Sequence, residues 1–99
     1  MIRVNIKKKS IVMTGHADYA DYGKDIVCAA ASSIVTTSVN AALRFDEKSL
    51  CYREEKDKFT IEILNDNSNV QVIIDNMVSL LEELAKTHKD NIKIIKEEN

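Results

Sequence analysis

The first fourteen residues alternate. Ile2, Val4 and Ile6 fall on one side of an extended chain, and Arg3, Asn5 and Lys7 on the other. A period of two marks a strand with one buried face. Lys8, Lys9 and Ser10 form a polar connection and residues 11–14 read as a second strand, so residues 2–14 predict a hairpin. Residues 15–24 have neither period. Beyond them Val27, Ala30, Ala31, Ile34, Ser38, Ala41, Ala42 and Phe45 recur at steps of three and four. That spacing predicts a helix over residues 25–45, although Ile34-Val35-Thr36-Thr37 taken alone favours a strand. Asp25 is the expected N-cap. Residues 46–49 form a polar turn. Residues 50–54 and 59–64 predict two further strands, with Phe59, Ile61 and Ile63 on one face. Ser68 with Gln71 has the spacing of a capping box, and Val70, Ile74, Met77, Leu81 and Leu84 then predict a second amphipathic helix to about His88. Ile92, Ile94 and Ile95 predict a closing strand.

The order ββαββαβ predicts an α+β fold, a sheet with two packed helices. The 99 residues fit a single small domain spanning 1–99. Composition narrows the function classes. The net charge is -2, and the one basic cluster, Lys7 to Lys9, reads as a solvated turn, so no direct nucleic-acid contact is expected. No apolar run is expected to approach the ~20 residues of a membrane span, and the alternating N-terminus is unlike a signal peptide. Two cysteines do not make a disulfide framework, which predicts free thiols in a reducing cytoplasm. Cys28, Cys51, His16 and His88 lack the spacing of a zinc site, and no metal or other cofactor is expected.

Candidate chemistry gathers in one stretch, Gly15-His16-Ala17-Asp18-Tyr19-Ala20-Asp21-Tyr22-Gly23-Lys24-Asp25-Ile26-Val27-Cys28-Ala29-Ala30. Gly15 and Gly23, the chain's two glycines, bracket the loop. With Asp25 as N-cap, Cys28 would occupy the third helical position, where unpaired N–H groups and the helix dipole favour the reactive thiolate. His16, across the loop, supplies an imidazole suited to proton transfer near neutral pH, and a Cys–His pair is the smallest unit for acyl transfer. The N–H groups of residues 26–29 could receive a developing oxyanion, although an Asp25 cap on the Cys28 N–H would remove that donor. The loop is expected to close over a peptide and assemble the site around it.

The stretch G-H-A-x-Y-A-x-Y-G-x-D-I-V-C-A-A resembles the signature of the ribosomal-processing cysteine protease family, Prp, and element order and length fit that family too. The resemblance implies that Cys28 and His16 are the catalytic pair. It also implies a homodimer and, as substrate, the short N-terminal extension of a bacterial large-subunit ribosomal protein. The alternative is a non-catalytic binding module in ribosome assembly, with the motif loop as its docking element. Asp25 could steer or charge His16 besides capping the helix. Ser32 and Ser33, one turn past Cys28, read as small packing residues, with a pocket wall as the lesser role. Cys51 is expected to be an inert thiol in mid-strand, and His88 to complement the C-terminal dipole of its helix.

Overall fold

The computed structural model describes residues 1–15 and 22–97, with the backbone alone described for residues 22–25. The alternating segments are strands and the two long periodic segments are helices. They run β1 (Ile2–Ile6), β2 (Ser10–Thr14), α1 (Tyr22–Phe45), β3 (Leu50–Glu55), β4 (Lys58–Ile63), α2 (Ser68–Thr87) and β5 (Ile92–Lys96). The α+β order ββαββαβ holds.

The strand bounds shift by one residue, with β2 from Ser10, β3 to Glu55 and β4 over Lys58–Ile63, and both helix starts differ from expectation. Helix α1 begins at Tyr22, not at Asp25, so Gly23 and Asp25 lie inside the helix and Asp25 is not its N-cap. The N-cap of α2 is Asn67, one residue before Ser68. Its side-chain oxygen accepts from the N–H groups of Asn69 and Val70 at 3.0 and 3.2 Å. Both orphan donors are thereby satisfied, and Ser68 becomes the first helical residue.

The strands form one five-stranded sheet ordered β3-β4-β2-β1-β5. β1 pairs antiparallel with β2 and parallel with β5, and β4 pairs antiparallel with both β2 and β3. Register explains the core. Val4 faces Met13 and Ile94, Ile11 faces Ile61, and Leu50 faces Ile63. All these apolar side chains therefore emerge on one face, because a side chain's face is fixed by parity along the strand. Both helices cover that face. α1 contributes buried Val27, Ala31, Val35, Val39 and Ala42, and α2 contributes buried Val70, Ile74, Met77 and Leu81. The opposite face carries Arg3, Asn5, Lys58, Glu62 and Lys93.

One expectation about apolar runs is corrected. Residues 26–45 are long and apolar enough, by length and composition alone, to cross a membrane. In this fold the line from Val27 to Ala42 is buried against the sheet and α2, and that packing accounts for the apolarity.

Candidate active site

Three strand ends and one helix meet at one end of the sheet. β1 begins there with Ile2. β2 arrives there through Met13 and Thr14 and passes into Gly15. β4 leaves the β3–β4 turn there at Lys58 and Phe59. The first turns of α1 lie over this end, and between them is a cleft of about 150 Å³ lined by Ile2, Met13, Gly15, Cys28, Ser32, Asp57, Lys58 and Phe59. Cys28 is half-buried and free. Ser32 stands one helical turn further on, the i, i+4 relation that puts two side chains on one helix face. Ser33 is exposed and is not part of the wall. Of the two serines, then, Ser32 alone borders the cleft.

Gly15 is fixed by its surroundings. Its φ is +82° and a Cβ there would lie 2.5 Å from the Met1 carbonyl oxygen. Its N–H donates to the Asp57 carbonyl at 3.0 Å. A side chain is thus excluded by conformation and by contact, which is why glycine is required here. Asp57 also has positive φ, 63°, in the tight turn that pairs Glu55 with Lys58. Aspartate tolerates that region better than most residues. The β3–β4 turn is therefore bound to Gly15, the first residue of the motif. His16 follows Gly15 directly in sequence, and with Asp18, Tyr19 and Asp21 it lies outside the described residues.

The earlier start of α1 changes the account of Cys28. It is the seventh residue of the helix, not the third. The orphan N–H groups of a helix are its first four, and here they fall before Ile26. The N–H groups of residues 26–29 belong to the helical ladder and are not free for an oxyanion, and the helix dipole acts mainly within the first turn. What distinguishes Cys28 is its place in a cleft lined by apolar Ile2, Met13 and Phe59 together with polar Ser32, Asp57 and Lys58. Cys51 differs: it is exposed on β3, opposite Glu62 on the outer sheet face. His88 caps the end of α2, where its N–H donates to the Leu84 carbonyl at 3.0 Å and its Nδ1 lies 2.8 Å from the Thr87 hydroxyl. Neither belongs to the cleft.

Sequence reasoning missed five wall residues: Ile2, Met13, Asp57, Lys58 and Phe59. Met13 and Phe59 are cross-strand partners, so pairing of β2 with β4 brings them together. The charge-rich turn before Phe59 was the one local signal.

Comparison with known proteins identifies the family. The family model described as "Cysteine protease Prp" matches residues 1–93. The ribosomal processing cysteine protease Prp of Staphylococcus aureus is 33% identical over 91 residues, covering 89% of this chain and 86% of that protein. The crystal structure of an essential ribosomal processing protease Prp from S. aureus in complex with a substrate peptide superposes with a TM-score of 0.90 at 28% identity, covering 98% of this chain and 100% of that one. A second structure of that protease, with a covalently linked product peptide, gives 0.88 at 29% identity and the same coverages.

Proposed function

Because this chain belongs to the cysteine protease Prp family and is a cysteine protease of ribosomal processing, we propose that Cys28 is its nucleophile and His16 its acid/base partner. The observation that carries the reading is the half-buried Cys28 thiol in a cleft whose edge is Gly15, the residue before His16. The Cys28 thiolate adds to the scissile carbonyl carbon. Collapse of the tetrahedral adduct breaks the C–N bond as the His16 imidazolium protonates the leaving amine. Water, deprotonated by His16, then adds to the thioester and releases the acid and the thiol. That the S. aureus relative has been seen with a covalently linked product peptide supports covalent chemistry of this kind.

The peptide removed is the N-terminal extension of a large-subunit ribosomal protein, and the enzyme works in the cytoplasm as a homodimer. Ser32 forms part of the wall against which the peptide lies. Asp25, within α1, has the lesser role of biasing the charge of His16, and Gly23 lends its backbone freedom to the first turn of the helix.

The test is incubation with synthetic ribosomal-protein extensions and a mass readout. One cut, lost in His16→Ala while Cys28 remains in place, is the expected result. Unchanged product masses and rates in His16→Ala would sink the pairing. Cleavage confined to peptides from other protein classes would sink the substrate.

A further inference from the structure

Net charge and the Lys7–Lys9 cluster give no sign of nucleic-acid contact, but register, invisible in the sequence, builds a second cationic array from residues far apart in the chain. On the sheet face that neither helix covers, Lys58 of β4 pairs with Thr14 of β2, Thr14 with Arg3 of β1, and Arg3 with Lys93 of β5. Paired residues show their side chains on one face. Lys58, Arg3 and Lys93 therefore stand in a single row, roughly 14 Å long at about 4.8 Å per strand spacing. All three are exposed, and among the described residues none of them forms an ion pair. Glu55 of β3 closes the row at its Lys58 end, while β1, β2 and β5 contain no carboxylate. Arg3 and Lys93 thus meet as like charges across one strand spacing, a repulsion that an anion lying over both relieves.

The rest of the face selects the anion. β4, β2 and β1 are each paired on both sides, so the middle of the row leaves no main-chain donors for an added strand. The next row holds Thr60, Val12, Asn5 and Ile95. It is uncharged, and Asn5 separates its two apolar members, so an acidic peptide finds no continuous apolar strip there. Among the described residues no aromatic ring lies on this face, so bases find no stacking platform. What remains is recognition of charge spaced closely along a backbone. Phosphates supply it, and Arg3 offers the planar fork that holds a phosphate through two hydrogen bonds.

We infer that the open sheet face docks the phosphate backbone of double-helical RNA, contacted by Lys58, Arg3 and Lys93 without regard to base sequence. The row crosses the sheet at the end where the cleft lies, since Thr14 and Lys58 adjoin Met13, Gly15 and Phe59, but on the reverse side from Cys28. RNA bound there leaves the cleft open to a peptide. For a cysteine protease of ribosomal processing, such a surface holds the enzyme on the particle that carries its substrate. Nothing in this inference depends on the pairing of Cys28 with His16.

Fluorescence anisotropy tests it with two probes, an RNA hairpin of about 16 base pairs and polyglutamate of equal charge, each titrated between about 50 and 200 mM salt. The hairpin is expected to bind saturably, with log K falling against log salt at a slope of about −2.7 for three phosphate contacts. Arg3→Gln combined with Lys93→Gln should bring the slope to about −0.9 and weaken binding at low salt roughly tenfold. Lys58→Gln alone should flatten it by about 0.9. Lys8→Gln combined with Lys9→Gln removes the same net charge from the hairpin turn at the other end of the sheet and should leave the slope as it is. These five positions are all exposed, so the variants keep the core intact. No saturable binding of the hairpin, a slope unmoved by the Arg3 and Lys93 changes, or an equal loss in the Lys8 and Lys9 variant would each overturn the assignment. Polyglutamate bound as tightly as the hairpin would overturn it too, and would give the row to an acidic protein partner instead.

Discussion

The two helices lie side by side on the same sheet face, yet they are built differently. α2 is strongly two-faced. Val70, Ile74, Met77 and Leu81 are buried while Gln71, Asp75 and Glu83 face water, and Asn67 closes its start. α1 has no charged residue from Ile26 to Leu43. Its inner line is mostly Ala and Val, and its outer line, including Ala29, Ser33, Thr37 and Asn40, is small and neutral. α2 is specified by amphipathic burial and a cap. α1 lies close to its neighbours through small side chains, and between buried Val27 and Ala31 it holds one half-buried thiol. Both helices bury core residues, but the thiol chemistry proposed above belongs to α1 alone, so substitutions should separate packing from activity.

The largest separation is expected at Cys28. Cys28→Ala should lower kcat/KM by at least about 10³-fold, because loss of the proposed nucleophile would remove the covalent route. Its unfolding free energy should change by less than about 1 kcal/mol, as the side chain is small and only half-buried. Cys51→Ala should change neither. Peptidase assays beside urea melts decide it, and a Cys28→Ala protein that still cuts would break the contrast. Met77→Ala is the converse. Met77 is fully buried, and truncation there should cost about 2–5 kcal/mol through transfer and cavity terms, with kcat/KM per folded molecule unchanged. Activity falling faster than the folded fraction would show that α2 supports the site directly.

Gly15 is expected to belong to both sides. Gly15→Ala drives a Cβ towards the Met1 carbonyl at positive φ, which should cost about 1–3 kcal/mol. Because Gly15 directly precedes His16, the proposed acid/base partner, turnover should fall as well, even for the fraction that remains folded. A melt shifted without any change in kcat would confine Gly15 to a structural role.

The same contrast explains what could be read in advance. The alternation of Ile2, Val4 and Ile6 and the spacing from Val70 to Leu84 are strong single-period signals, and they gave the strands and α2 directly. α1 was legible by its three-and-four spacing despite its β-branched middle. Its start was not, because Gly23 disfavours a helix interior by about 1 kcal/mol relative to Ala and Asp25 looked like the better first cap. Asn67 and Ser68 are both good caps, so local chemistry could not choose between them. Tertiary geometry chose, since the Asn67 amide also reaches Asp46. The cleft wall was the least legible part. Ile2, Met13 and Phe59 read as ordinary core positions until strand order and register bring them to Cys28.

The smallest effect expected lies where the two helices are joined. Asp46, just past α1, accepts from the Lys48 N–H at 3.0 Å, and that bond above all holds its carboxyl below the ordinary 3.8. Partial burial opposes the shift, and the amides of Asn67 and Asn65, at 3.4 and 3.3 Å, reinforce it. A carboxylate lowered in the folded state contributes stability that is present above its unfolded value and lost as pH falls through its folded value. Melting temperatures of the wild type and Asp46→Asn should therefore differ most above about pH 4 and converge towards pH 2, while every other carboxylate titrates alike in both. A gap that stays constant with pH would mean that Asp46 steadies Asn67, and with it the start of α2, by shape and hydrogen bonding alone and not by charge.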